Sequence, residues 1–234
     1  FHFPNFTIPP LAGGRRVVTI HDLSFMRFPE FAEAGNRRFL NATIRRTVAR
    51  ADAIITDSQF SAEEIVSVLG VDAARVFPIH LGVDPGLAAP GADAIAECRR
   101  TLGLDRPYLL FVGTIEPRKN IGFLVEVFER LVKFDGLLVI AGMPGWKYEP
   151  ILARIAASPA ADRIRYLKFV PDRRLPALYG GAELFLFPSF YEGFGFPVLE
   201  AMSNDCMVIA SNGGSIPEIA GGAAILFSPD NADE

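Results

Sequence analysis

Cysteine, histidine and tryptophan are all scarce in this 234-residue chain, at two, three and one. Cys98 and Cys206 stand far apart and form no C-x-x-C pair, so neither a disulfide framework nor a thiolate metal site is expected. Two ordinary thiols in a reducing cytoplasm are the economical reading. His2, His21 and His80 lie at ligand spacing from no other histidine or cysteine, so no metal site is expected from them either. No apolar run approaches the roughly 18 residues that a membrane-spanning helix needs, so neither a membrane span nor a signal peptide is expected from these residues. An excess of positive charge is also missing. Lys and Arg number 23 against 27 Asp and Glu, and the net charge of −4 gives no hint of nucleic acid. Half of the residues are hydrophobic, enough to bury one or two α/β cores.

The most informative stretch is Phe187-Pro188-Ser189-Phe190-Tyr191-Glu192-Gly193-Phe194-Gly195-Phe196-Pro197-Val198-Leu199-Glu200. Leu184 to Phe187 suits a short buried strand, and Pro197 suits the start of a helix carrying Val198, Leu199, Ala201 and Met202. Glu192 then sits in the loop and Glu200 in the first turns of the helix. First-turn N–H groups and the close backbone approach allowed by Gly193 and Gly195 would suit an anion, most readily a phosphate. Were Glu192 to Glu200 one helix, the carboxylates would stand about 12 Å apart along its axis, whereas paired glycosidase carboxyls sit about 5–9.5 Å apart. Hydroxyls at the two ends of a nucleoside diphosphate sugar fit that separation better than a bond to be hydrolysed.

A second phosphate element is expected in Gly113-Thr114-Ile115-Glu116-Pro117-Arg118-Lys119-Asn120, after one strand and before a helix. Arg118 can fork two oxygens and Lys119 can act as a point charge, both favouring negative charge on a departing nucleotide. His21 ends an apolar strand, where a lone histidine is more often structural than functional, and Asp22 suits the cap of the next turn. Arg37, Arg38, Arg45, Arg46 and Arg50 crowd one helix, either as a solvated face or as a patch for anionic lipid.

Strand-like and helix-like segments alternate, the pattern of parallel sheets covered by helices. Strands are expected at Val17–His21, Ala53–Thr56, Val76–Ile79, Tyr108–Val112, Leu137–Ala141, Ile164–Phe169, Leu184–Phe187, Val208–Ala210 and Ala224–Phe227. The clearest helix follows Lys119, with Asn120 as cap and Ile121, Leu124, Phe128, Leu131 and Val132 as its apolar stripe. Pro85-Gly86-Leu87-Ala88-Ala89-Pro90-Gly91 is rich in breakers. The expected division is residues 1–84 as a first Rossmann-like domain, 85–105 as connection and 106–234 as a second. Only three strands precede the connection, and the polar stretch ending at Glu234 suits the cap of a further helix. The first domain is therefore expected to lack an opening segment and the second its last helices.

Five further blocks accompany Glu192-x7-Glu200 in order. They are Val18-Thr19-Ile20-His21-Asp22-Leu23, Asp57-Ser58-Gln59-Phe60-Ser61, Gly82-Val83-Asp84, Phe111 to Asn120, and Ser215-Ile216-Pro217-Glu218. Together they resemble the retaining GT-B glycosyltransferases of family 4 over nearly the whole chain. The likeness is greatest to bacterial enzymes that add mannose or a similar sugar to lipid-linked O-antigen or exopolysaccharide intermediates.

The resemblance implies an α/β GT-B fold, two Rossmann-like domains whose parallel sheets face a cleft. It implies a nucleoside diphosphate sugar as donor, GDP-mannose first among candidates, and a lipid-linked or glycan acceptor. It also implies no metal or other cofactor, and a cytoplasmic protein peripheral at the inner face of the cell membrane. His21 would reach the donor sugar across the cleft, with Glu192 and the amides of Gly193, Phe194 and Gly195 on the same sugar. Gly113, Thr114, Arg118 and Lys119 would serve the diphosphate, Glu200 the ribose, and backbone near Phe169 and Val170 the base. Front-face substitution, in which the acceptor attacks from the side the nucleotide leaves, would need no enzyme nucleophile.

Two positions depart from the family pattern. Thr114 stands where many relatives carry arginine, which leaves Arg118 as the arginine partner. Asp205 stands where relatives carry a helix-ending glycine, which strains that turn. Three alternatives remain at this point. A GT-B phosphorylase would carry a pyridoxal-phosphate lysine, for which no motif is seen. The others are a non-catalytic nucleotide-sugar-binding fragment and a hydrolase.

Overall fold

Runs such as Tyr108-Leu109-Leu110-Phe111-Val112 and Leu137-Leu138-Val139-Ile140-Ala141 are apolar at every position, as a parallel strand with both faces covered requires. In the computed structural model each is a strand buried along nearly its whole length. The structure describes residues 1–10, 13–84 and 90–231. Contacts divide the chain into two units, Phe1–Leu81 with Tyr191–Phe194, and Gly82–Phe190 with Gly195–Glu234.

In the first unit, β1 (His2–Phe3), β2 (Val17–Thr19), β3 (Ala53–Thr56) and β4 (Val76–Pro78) lie side by side in that order, all parallel. Helices α1 (Ser24–Arg27) and α2 (Ala34–Arg50) link β2 to β3, and α3 (Gln59–Leu69) links β3 to β4. The start of α3 is encoded by Ser58, whose hydroxyl accepts the Ser61 N–H at 3.1 Å. Its end is encoded by Gly70, left-handed at φ +67°. Between those signals Ala62, Ile65 and Leu69 recur at helical spacing and are buried with Val18, Ile20, Ile44 and Ile54. Each such Ile or Val contributes about 1.5–3 kcal/mol of transfer free energy. β1 was not expected, because two residues carry no periodicity.

The second unit contains α4 (Ala92–Leu102), β5 (Tyr108–Val112), α5 (Ile121–Arg130), β6 (Leu137–Ala141), α6 (Glu149–Ala156) and β7 (Ile164–Lys168). It continues with α7 (Leu175–Gly180), β8 (Leu184–Phe187), α8 (Phe196–Ser203), β9 (Val208–Ser211), α9 (Ile216–Ala220) and β10 (Ala224–Phe227). Its six strands are all parallel, in the order β10-β9-β8-β5-β6-β7. Chain order therefore reverses between β5 and β8, the point at which open α/β sheets bind ligands beyond the carboxyl ends of their strands.

The structure alters three expectations. Residues 85–89 lie outside the described residues, but 92–102 of the expected connection form α4, whose Cys98 is buried in the core of the second unit. Helix α5 ends at Arg130, so Leu131 and Val132 fall beyond it and are exposed. Asn120 does stand at the N-cap of α5, but it is left-handed at φ +54° and its side-chain N–H donates to Pro229 O at 3.0 Å instead of receiving a cap bond. Cys98 and Cys206 are free and buried. Asp205 adopts φ +56°, the left-handed turn that a glycine would adopt without strain.

Candidate functional site

Two groups of side chains gather at the carboxyl ends of the strands, one in each unit. In the second unit, the loop after β5 (113–120) and the segment after β8 leave adjacent central strands, and the Phe190 N–H donates to Arg118 O at 3.0 Å. Gly113, Thr114, Arg118 and Lys119 share the first of these loops. Lys119 is 93% buried by virtue of a relative exposure of 7%, and its Nζ lies 5.0 Å from the centre of the Phe187 ring. Arg118 Nη2 lies 2.8 Å from Glu116 Oε1, a pair that orients the guanidinium and offsets part of its charge. Helix α8 starts from Gly195 at φ +94° with Pro197 in its first turn, and the Val198 N–H donates to Gly195 O at 2.9 Å.

Glu200 is half-buried on α8 and its Oε2 accepts the Tyr179 hydroxyl at 2.8 Å. Burial raises its pKa, the Tyr179 bond lowers it and Asp172 raises it, for a net upward shift. Phe169 and Val170 follow the edge strand β7, separated from β5 by β6. The Phe169 side chain is exposed, and that of Val170 is buried in the core. Among the described residues, no group of three or more His, Cys, Asp or Glu side chains is arranged to hold a metal ion.

In the first unit, His21 follows β2. Its Nδ1 lies 2.8 Å from Asp57 Oδ2 and its Nε2 lies 3.2 Å from Pro4 O. Because both ring nitrogens face oxygen acceptors, the doubly protonated imidazolium satisfies the arrangement fully. The Asp57 hydrogen bond raises the His21 pKa, burial opposes it, and the Asp57 charge, Pro4 O and Asp22 add to the rise. Asp22 Oδ1 accepts the Ser24 N–H at 2.9 Å, the turn-capping role expected of it.

Tyr191, Glu192, Gly193 and Phe194 belong to this unit, although β8 and α8 belong to the other. Glu192 is buried at 7% exposure. A Cβ on Gly193 would lie 2.8 Å from His21 O and 2.7 Å from Asp22 Cβ, so no side chain fits there. The structure thus brings His21 and the Glu192–Phe194 segment into one unit, and Arg118, Lys119 and Glu200 into the other.

Four contributors were not foreseen. Asp57 stands within one of the sequence blocks, which assigns it no role. Its signal is the register of β2 on β3, which pairs Thr19 with Ile55 and so brings residues 21 and 57 level at the strand ends. Tyr179 carries no motif. Gly142 follows β6, and a Cβ there would stand 1.8 Å from Gly113 O, so glycine alone lets the two loops meet. Glu64 lies 127 residues from its partner Tyr191, beyond any local pattern.

The family described as glycosyl transferases group 1 matches residues 97–234, and the family described as glycosyltransferase family 4 matches residues 2–87. O-antigen chain mannosyltransferase B of Escherichia coli is 33% identical over 237 residues, covering 100% of this chain and 62% of that protein. D-inositol 3-phosphate glycosyltransferase of Mycobacteroides abscessus is 31% identical over 74% of this chain and 40% of its own length. The chain therefore spans less than two thirds of either relative. Sucrose-phosphate synthase of Thermosynechococcus elongatus superposes with a TM-score of 0.78 at 25% identity, over 94% of this chain and 56% of that one. Anabaena HepE, solved with UDP and glucose, superposes with a TM-score of 0.79 at 22% identity, over 94% and 59%.

Proposed function

Because the chain belongs to the group 1 glycosyltransferases, with α/β units of the GT-B kind, we propose that the protein containing it moves a hexose from a nucleoside diphosphate sugar to a lipid-linked or polysaccharide acceptor in cell-surface glycan synthesis. Mannose is the first candidate, since a mannosyltransferase is among the relatives. The observation that carries the reading is the reversal of strand order between β5 and β8, with a buried lysine, an arginine and a helix N-terminus at that one edge.

Lys119 and Arg118 neutralise the diphosphate, most strongly as charge grows on it during departure, with the Gly113 and Thr114 backbone beside them. Glu200 accepts the ribose hydroxyls, and the backbone at Phe169 and Val170 faces the base. Glu192 and the Gly193, Phe194 and Gly195 amides hold the sugar. His21, oriented by Asp57 and with its pKa raised chiefly by that hydrogen bond, positions the sugar. Fixed protein charges stand where other transferases use a divalent ion, and the acceptor attacks from the face the nucleotide leaves, with retained configuration.

Arg38, Arg45 and Arg46 are exposed on α2 beside Phe39, while Arg37 and Arg50 donate to Pro29 O and Ile8 O. That basic face with one aromatic suits the anionic inner leaflet where a lipid-linked acceptor resides, at about 1 kcal/mol per cation. Among the described residues no helix is long and apolar enough to cross a membrane.

The test is transfer from GDP-mannose, then other nucleotide sugars, to a lipid-linked or model acceptor in excess EDTA, with NMR of the new linkage. Transfer with retention is expected. Activity that returns only with Mg²⁺ or Mn²⁺, or an inverted product, would overturn the roles given to Arg118, Lys119 and Glu192.

A further inference from the structure

Glu64, in α3, is a carboxylate with 6% exposure that no step of the proposed transfer uses. It accepts Arg27 Nε at 2.6 Å and the Tyr191 hydroxyl. The same phenol oxygen accepts the Leu23 N–H at 3.3 Å, and the ring packs against Phe28 and Phe60 at centroid distances of 5.4 and 5.6 Å. Burial, Asp22 and Glu64 all push the Tyr191 pKa upward, so the phenol stays a donor. Two residues on, the Gly193 carbonyl accepts Ser58 Oγ at 2.6 Å and Ser61 Oγ at 3.2 Å. All of these groups belong to the first unit.

Apolar packing alone could retain a tetrapeptide, and a buried polar set costs desolvation unless each member is paired. What the polar pairs add is direction. A trans peptide is planar, so fixing the Gly193 oxygen on two hydroxyls aims the Phe194 N–H, on the opposite edge of that plane, the other way. Tyr191 fixes the residue before Glu192 and Gly193 the residue after it. We infer that Glu64 through Tyr191, and Ser58 and Ser61 through the Gly193 carbonyl, are positioning residues that aim the Glu192 carboxylate and the Phe194 N–H at the transferred sugar. The inference rests on the transferase reading. It assigns these residues to rate and not to nucleotide affinity, because a slack constellation loses the reacting geometry while the diphosphate contacts persist.

Tyr191→Phe and Ser61→Ala each delete one hydroxyl, and Ser61→Ala leaves the Glu64 pairing intact if Tyr191→Phe folds poorly. The whole protein and each variant would be compared for kcat and KM with the nucleotide sugar used, for calorimetric Kd of the bare nucleoside diphosphate, and for amide hydrogen exchange. The expected result is a kcat lower by about tenfold, a diphosphate Kd unchanged within about twofold, and faster exchange confined to residues 190–196. An unchanged kcat in both variants, exchange unchanged over 190–196, or a loss of kcat matched by equal loss of diphosphate affinity would overturn the positioning role. Absence of transfer by the unsubstituted protein would instead sink the transferase reading, and this inference with it.

Discussion

Glu192 and Glu200 stand on either side of one short helix start, yet they occupy different environments. Glu192 is buried in the first unit, on a tetrapeptide whose neighbours are tied down by Tyr191 and the Ser58 and Ser61 hydroxyls. Glu200 is half-buried in the second unit, held by a single phenol and pushed toward protonation by burial. Seven residues of sequence separate them, yet packing assigns them to different units. The cations differ in the same way. His21 has a carboxylate beside it, while Lys119 lies buried over an aromatic face. Glu192 and His21 thus belong to the first unit and Glu200, Arg118 and Lys119 to the second, and substitutions that separate the two sets are the sharpest tests of the division.

The largest effect is expected where charge develops. Lys119→Met and Arg118→Ala should each lower kcat by about 10²-fold or more. Steady-state kinetics decide, and a change in KM alone would reduce both residues to holding the donor. Next comes Glu200→Ala, which removes charge-assisted bonds of about 1.5–3 kcal/mol and should weaken binding of the bare nucleoside diphosphate by about tenfold or more. Glu192→Gln should leave that Kd unchanged by calorimetry while transfer falls. The opposite result for this pair would erase the division between the two carboxylates.

A smaller effect concerns pH. In the proposed function the ionised Glu200 meets the ribose, and its raised pKa means that this form is lost as pH falls through a midpoint above the ordinary carboxylate value. Nucleotide affinity measured between pH 4 and 8 should decline toward acid, and Tyr179→Phe, which deletes the bond that lowers the pKa, should move the midpoint higher. A midpoint unmoved by Tyr179→Phe would show that the phenol does not stabilise the charge.

The smallest effect is on stability. His21 has its folded-state pKa raised above its ordinary value of 6.5, so its pairing with Asp57 stabilises the fold fully below about pH 6.5 and is lost as pH rises through the folded value. The side chain is 46% exposed, which holds the contribution to about 0.2–1 kcal/mol. Denaturant midpoints from pH 5.5 to 8.5 should drift downward with pH in the unsubstituted protein, and the drift should shrink in Asp57→Asn.

Most of the second unit was legible in the sequence. Runs such as Leu137 to Ala141 are apolar at every position and announce strands covered on both faces, and Pro197 marks the first turn of α8. Loop residues 113–120 could be assigned to an edge because a strand must exit into them. What stayed hidden depends on register and on distance along the chain. Asp57 meets His21 only because β2 and β3 pair as they do, Gly142 meets Gly113 only because β5 and β6 do, and Glu64 finds Tyr191 across 127 residues. Leu131 and Val132 misled because an apolar stripe predicts burial only while the helix lasts, and α5 ends at Arg130.

The tetrapeptide Tyr191–Phe194 also sets an order of events at the ribosome. Glu64, Ser58 and Ser61 are synthesised early, but the groups that pair with them emerge about 110 residues after the rest of the first unit. At about 5–20 residues per second, that is a wait of roughly 5–20 s during which a buried carboxylate and two hydroxyls lack their final partners. The first unit draws part of itself from the chain's later residues, and cutting the chain after residue 84 would make that wait permanent.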